Sequence, residues 1–276
     1  MEKKKNDFIA QGSILAIASI LVRVMGMIYR IPMTAIIGDK GNGFYSYAYS
    51  VYTILLLLSS YSLPLAVSKM VSAKAQLGQW RNVKRVFICA IAFAIGIGTT
   101  FGLIVLIGAQ FFTRVFFHSE LAAIALRFMA PTILIMALLG VFRGFFQGLQ
   151  NTLPTAVSQI VEGLINAIMS VVFAYFLFDF GHGMDAAGGT TDLGYAWGAA
   201  GGAIGTGAGA LAGLIFCFIL FVAYRKILAV NISRDKTGTQ QEYGDIFRLM
   251  LSIALPVILS TALYNLIELV DGSLFN

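Results

Sequence analysis

The sequence predicts an all-α polytopic membrane protein, and three observations carry that reading. The chain of 276 residues is 58% hydrophobic and 12% charged, with a mean hydropathy of +0.84, whereas a soluble domain is about 25% charged. Its apolar residues gather into runs of about 20 or more, the length a helix needs to cross a hydrocarbon core of about 30 Å. Its charges fall in short clusters between those runs. That placement is the pattern of membrane loops, so the net charge of +6 points to no nucleic-acid partner.

About seven transmembrane helices are expected, at 9–37, 45–67, 86–112, 121–147, 154–178, 195–224 and 247–271. The first follows the basic start MEKKKNDFIAQGS and contains Arg23 and Arg30. It is longer than the apolar core of a signal peptide and is followed by more membrane sequence, so it reads as a span and not a cleaved leader. The third carries Gly98 and Gly102, and the sixth carries Gly194, Gly198, Gly202, Gly205, Gly209 and Gly213. Small residues three or four apart share one helix face and let two backbones approach closely. The string GTGAGALAG in the sixth run lacks the preceding strand and the Lys-Ser/Thr pair of a phosphate-binding loop. Pro32, Pro64, Pro131, Pro154 and Pro256 all fall in these helices or at their ends, where neighbours in a bundle can satisfy the freed carbonyls and kinks are expected. Runs well beyond 20 residues imply tilt or extension past the lipid.

Lysine and arginine orient the chain. With the N-terminus in the cytoplasm, the inner segments hold Lys3, Lys4 and Lys5, then Lys69, Lys74, Arg81, Lys84 and Arg85 in the second loop. Arg143 falls in the fourth loop, and Arg225, Lys226, Arg234, Lys236 and Arg248 fall around the sixth. Only Lys40 and Arg114 fall outside. Cytoplasmic loops are enriched in just this way. The fifth loop has no Lys or Arg and carries Asp179, Asp185 and Asp192, which suits the outer side.

Charges at membrane depth are functional candidates, because burying them costs several kcal/mol unless something compensates. Arg23 falls near the middle of the first helix. Arg30, seven residues later, shares its stripe about 10 Å along the axis. Two cations on one face repel, snorkel, pair with acids or share an anion. Glu162 lies about two turns into the fifth helix, and two readings stand for it: an ion-coupling carboxylate in a cavity, or the partner of an arginine. Glu268 and Asp271 share a face near the outer end of the seventh helix, with interfacial solvation and ion coupling as their readings. Arg127 is expected to snorkel. His118 and His182 fall in outer loops, and Cys89 and Cys217 read as buried free thiols. No nucleophile–base pair, metal-ligand spacing or cofactor motif is legible, so neither an enzyme nor a metal or cofactor site is expected.

Three strings resemble a known family: LVRVMGMIYRIPMTAIIG in the first helix, LPLAVSKMVS after the second, and FRGFFQGLQNTLPTAVSQIVEGL across the fourth and fifth. They are similar to flippases of the multidrug/oligosaccharidyl-lipid/polysaccharide superfamily, in the polysaccharide biosynthesis and stage V sporulation protein B branch. RGFFQGLQNTLPTAVSQ is the most specific part. The resemblance implies two MATE-like lobes related by a pseudo-two-fold axis, with a cavity between them that opens to one side at a time. On that expectation 1–224 is an N-terminal six-helix lobe, 225–246 a cytoplasmic inter-lobe loop and 247–276 the first helix of a truncated second lobe. The missing half would be further chain or a second chain.

It also implies a bacterial cytoplasmic membrane and a cargo with a polyprenyl tail and a pyrophosphate-sugar head, flipped for cell-wall or polysaccharide biosynthesis. Arg23, in VRVMG, matches a cavity arginine of the lipid II flippases, and Arg30 sits one residue off the spacing of the family's second arginine on that helix. The stretch TILLLLSS lacks a further cavity arginine that some relatives carry in the second helix. The alternatives are a cation-coupled multidrug exporter of the same fold and a non-transporting membrane scaffold for envelope or spore assembly.

The Lys/Arg asymmetry makes a direct topological prediction. In a background lacking Cys89 and Cys217, an impermeant maleimide applied to intact cells should label a cysteine placed at Ala187 and spare one placed at Gln79. The reverse pattern would overturn the orientation.

Overall fold

A computed structural model describes the backbone of residues 2–60, 62–188 and 192–274, and side chains within 12–260 except at 61, 187 and 189–191. Every element among the described residues is an α-helix: α1 Glu2–Ser60, α2 Leu63–Gln76, α3 Trp80–Phe117, α4 Ala122–Gly148, α5 Leu153–Gly188, α6 Leu193–Ser233 and α7 Tyr243–Leu274. The described residues contain six helical runs long and apolar enough to cross a membrane, the first spanning Gly12–Gln76. The chain is a multi-pass membrane protein.

That first run supplies two of the seven expected spans, because α1 folds back at Gly38. The backbone there has φ 63°, a left-handed value that glycine adopts without a Cβ penalty. Residues on both sides of Gly38 meet the same point of α6. A methyl added at Gly202 would lie 2.6 Å from Met33 Cε and 3.1 Å from Tyr45 Cδ2. So α1 has two antiparallel arms.

The second span ends at Ser60, earlier than the expected 45–67. Pro64 does not kink it; it lies in the first turn of α2, where a missing N–H costs no intrahelical bond. Most of the expected second loop is helical. Lys69 and Lys74 sit on α2, and Arg81, Lys84 and Arg85 sit on the first turns of α3. Between them, residues 77–79 turn through Gly78 at φ 71°. With 14 residues, α2 is too short to span. It instead buries Leu63, Ala66, Val67, Met70 and Val71.

Helices in lipid gain little from burying apolar surface against one another, so close backbone packing must hold them. Three small-residue stripes do so. On α6, a Cβ at Gly201 would run into the Phe173–Ala174 backbone, and one at Gly205 into Ser170; one at Gly209 would lie 2.6 Å from the Glu162 carbonyl oxygen. The expected α6 stripe is therefore split: Gly205 and Gly209 lie on α5, whereas Gly202 faces α1. On α4, Gly140, Gly144 and Gly148 receive Pro64, Val67 and Val71 of α2. On α3, Gly98 meets Leu134 and Ala137, and Gly102 lies 3.2 Å from the Ala130 carbonyl oxygen by the same measure.

Two apolar clusters fill the ends of the bundle. At the end holding α2 and the start of α3, Phe87 stacks on Phe221 at 4.5 Å, with Phe142 and Phe145 edge-on or tilted around them. At the Gly38 end, Met33, Ile37, Tyr45, Leu126, Met129 and Ile133 pack together. The 41 residues of α6 are about 60 Å long, so this helix extends well past a bilayer core and past residue 224. Residues 234–242 then link it to α7, whose Ile246, Met250 and Ala254 are fully buried.

The α5–α6 contact leaves no room for a side chain at Gly205. Gly205→Leu should lower the melting temperature in detergent sharply, since overpacking a close contact costs about 1–3 kcal/mol or more. Gly96→Ala, with nothing within 4 Å of the added methyl, should leave it nearly unchanged. Equal melting temperatures for Gly205→Leu and the wild type would contradict the packing.

Candidate functional site: charges in the helix bundle

Four side chains place charge in the middle of the lobe: Arg143, Glu162, Arg23 and Arg30. Arg143 belongs to α4 and not to the fourth loop, where counting loop cations had put it. It lies five residues before the helix ends at Gly148. Its Nη2 donates to Glu162 Oε2 at 2.7 Å and its Nε donates to Ser158 Oγ at 2.8 Å. Ser158 in turn donates to the Thr155 carbonyl at 2.8 Å, and Gln147 Nε2 reaches Thr155 Oγ1 at 3.2 Å. Glu162 stands nine residues inside α5, about 13 Å along its axis. At that depth a lone charge is costly, and a hydrogen-bonded pair offsets part of the loss of water. The partner of Glu162 is thus Arg143, across the α4–α5 hairpin, and not Arg23. The Arg143 side chain is 11% exposed and that of Glu162 24%.

The first arm of α1 crosses this level. A methyl at Gly163, next to Glu162, would sit 3.0 Å from Met25 Cε and 3.3 Å from Val22 Cγ1. Arg23 therefore stands at the height of the Arg143–Glu162 pair, and Arg30 is about 10 Å nearer the Gly38 end. Both are exposed, and neither forms an ion pair among the described residues.

The second arm adds tyrosines. Tyr45 and Tyr49 stack at 5.8 Å, and Tyr49 and Tyr52 lie 5.9 Å apart. Tyr45 and Tyr52 are buried, with the Tyr45 hydroxyl 3.2 Å from Thr206 Oγ1, while Tyr49 is 38% exposed.

Other sequence candidates lie elsewhere. Glu268 and Asp271 fall outside the described side chains. Arg127 is exposed on α4. His118 forms the left-handed C-cap of α3, and His182 stacks on Phe178 at 5.4 Å. At the same end Lys40 pairs with Asp192 at 3.0 Å, and Asp185 accepts the Leu193 and Gly194 amides at the start of α6. Cys89 and Cys217 are buried and free.

A second polar assembly was not foreseen from sequence. The linker 234–242 is clasped to the start of α3. Fully buried Asn82 donates Nδ2 to Gln79 Oε1 at 3.1 Å and to the Thr239 carbonyl at 3.0 Å, and its Oδ1 accepts the Gln241 amide at 3.0 Å. Arg85 donates to the Gln241 carbonyl and to Gln240 Oε1, and lies 5.2 Å over the Tyr243 ring. Asp235 accepts the Arg81 amide at 2.9 Å, the Thr237 amide at 3.0 Å and Thr237 Oγ1 at 2.6 Å. Those donors favour the ionised form and hold its carboxyl down at about 2, the Arg81 amide contributing most. The Asp-x-Thr turn in SRDKTG was a local signal for the Asp235 half. The Asn82 half joins positions 157 and 159 residues apart and left none.

Long apolar helices, glycine-mediated packing and a charge pair held between two helices define a multi-pass helical membrane protein. Comparison with known proteins makes the assignment specific: the chain belongs to the polysaccharide biosynthesis protein family, which it matches over residues 8–276. It is 26% identical over 266 residues to stage V sporulation protein B of Bacillus subtilis, covering 95% of this chain and 48% of that protein. It is 25% identical to the lipid II flippase MurJ of the same organism, covering 92% and 47%. The chain therefore spans about half the length of the curated relatives it matches. Its fold is that of solved MATE transporters. An outward-facing multidrug resistance MATE transporter of the MOP superfamily aligns with TM-score 0.64 at 16% identity, over 90% of this chain and 51% of that one. A MOP superfamily transporter from Pyrococcus furiosus aligns with 0.61 at 17%, over 90% and 51%.

The depressed Asp235 carboxyl gives the clasp a pH signature. A group whose pKa falls on folding stabilises the fold above its unfolded value, and that contribution fades as pH drops through the folded value. Asp235→Asn should lower the melting temperature at pH 7, and the deficit should shrink between about pH 4 and pH 2. A deficit equal at both ends of that window would exclude an ionised clasp.

Proposed function

We propose that the chain forms the first lobe of a flippase that moves polyprenyl-pyrophosphate-linked saccharide precursors across the bacterial cytoplasmic membrane by alternating access. The observation that carries this reading is the pair Arg23 and Arg30: exposed on one arm of α1, at membrane depth, with no carboxylate bound to either among the described residues. A pyrophosphate head crossing a low-dielectric slab needs charge to offset its lost hydration. Guanidinium forks match phosphate oxygens two at a time. Tyr49 of the second arm, 38% exposed, would offer a hydrogen-bonding hydroxyl and a flat face to a sugar. The polysaccharide biosynthesis family and the flippase among the relatives support the cargo class. On this reading the basic end of the bundle is cytoplasmic, in line with the positive-inside rule, and the other half of the cavity comes from a second lobe.

A cation-coupled multidrug exporter is the second reading, and the solved MATE neighbours favour it at the level of fold. Such a site would need a free carboxylate. Glu162, the described acid at this level, is already neutralised by Arg143.

In vesicles holding the complete transporter, Arg23→Ala should abolish flipping of a labelled polyprenyl-pyrophosphate saccharide while leaving expression and melting temperature near those of the wild type. Arg23→Lys should rescue in part, because a point charge lacks the fork. Normal flipping by a folded Arg23→Ala variant would end the proposal.

A further inference from the structure

The Arg143–Glu162 pair differs from a structural ion pair in three respects. Its neighbours Ser158 and Cys217 are completely buried, yet both charged side chains stay partly accessible, at 11% and 24% exposure. The pair is also one-sided. Glu162 receives one guanidinium nitrogen through Oε2, and Nε of the same group is held by Ser158. The hydroxyl would keep hold of Arg143 if the carboxylate left. Ser158 is itself fixed to the Thr155 carbonyl, so the arginine is pre-oriented on its own helix pair. Finally, the turn of α1 that carries Arg23 crosses α5 beside Glu162, where a methyl at Gly163 would lie 3.0 Å from Met25 Cε and 3.3 Å from Val22 Cγ1. An anion drawn to Arg23 would therefore come near Glu162 and be repelled by it, while being attracted to the arginine that Glu162 covers.

We propose that Arg143 is a third anion-binding cation of the cavity, and that Glu162 is its resident counter-ion, displaced when a pyrophosphate-bearing head group engages Arg23 and Arg30. The inference rests on the flippase reading above and adds to it a specificity device. A ligand with a single phosphate gains too little to replace a carboxylate already in place. A pyrophosphate, with several oxygens to share among three guanidinium groups, can replace it. Between visits Glu162 holds the charge of Arg143 in balance. Competition of this kind weakens apparent affinity by the fraction of time the site is covered, so removing the competitor must tighten binding.

The test is equilibrium binding of farnesyl pyrophosphate to the purified chain in detergent, with inorganic pyrophosphate and farnesyl monophosphate as separate arms and melting temperature recorded for each variant. Glu162→Gln should tighten farnesyl pyrophosphate binding by about tenfold if Arg143 is free for about a tenth of the time in the wild type, with a smaller gain for the monophosphate. A like gain for inorganic pyrophosphate would assign the effect to the phosphates and not the tail. Arg143→Gln should weaken binding, Arg143→Lys should weaken it less, and Glu162→Gln added to Arg143→Gln should give no tightening. If Glu162→Gln does not fold, Glu162→Asp, which shortens the carboxylate arm without removing its charge, should tighten binding in the same direction. Unchanged affinity in the Glu162 variants, with Arg30→Ala still weakening binding, would overturn the counter-ion role and leave the flippase reading standing. Affinity indifferent to Arg23, Arg30 and Arg143 alike would remove both.

Discussion

At three glycines α6 presents no side chain of its own to α5. Gly201, Gly205 and Gly209 lay their Cα atoms on the backbone of Phe173, Ser170 and Glu162, and that contact sets the position of everything polar in the lobe. Lipid tails are as apolar as leucine, so apolar contact alone cannot choose one helix neighbour over another. Backbone proximity can, because it is available only where both helices present small residues in register. Once α6 is locked along α5, the α5 surface left over is the one that carries Glu162 and receives Met25 and Val22 of α1. The same device repeats where α4 receives α2 at Gly140, Gly144 and Gly148 and lies against α3 at Gly98 and Gly102. Helix α4 thereby becomes the shared wall, touching α2 and α3 while Arg143 reaches across to α5.

This framework separates two kinds of buried charge. Arg143 and Glu162 meet because the α4–α5 hairpin and the α5–α6 lock leave them opposite each other, and each offsets the cost of the other. Arg23 and Arg30 stand on α1, whose two arms are held mainly at the Gly38 end, by Met33, Ile37 and Tyr45. Their side chains are left exposed. The linker behaves in the opposite way. Asn82, Arg85 and Asp235 fasten it to α3, and Ile246, Met250 and Ala254 bury the start of α7, so that part of α7 is attached to the six-helix body.

Much of this was legible in the sequence, for identifiable reasons. Membrane spans follow from run length, and the α6 stripe from glycine spacing, since both are properties of one helix alone. What the sequence hid depends on partners. Helix α2 is too short for a length criterion, and its lysines mark it as loop, although its other face is buried. Arg143 sits close enough to a helix end to be counted as a loop cation; only the position of Glu162 on the next helix shows that it turns inward. The Gly140, Gly144 and Gly148 stripe is masked by the phenylalanines of RGFFQG. The split of the α6 glycines between α5 and α1 depends on where both arms of α1 lie against α6, which no periodicity reveals, although the break between spans 9–37 and 45–67 was legible. The Asn82 clasp joins residues more than 150 positions apart.

The central claim is that this lobe offers unsatisfied cationic charge at membrane depth to an anionic lipid head. Native mass spectrometry of the protein extracted from its own membrane with minimal delipidation tests that most directly. The account predicts a retained adduct with the mass of a polyprenyl pyrophosphate or its saccharide conjugate, lost when Arg23 and Arg30 are both replaced by glutamine. Retention of the same adduct by that double variant, or preferential retention of neutral or cationic ligands by the wild type, would contradict it.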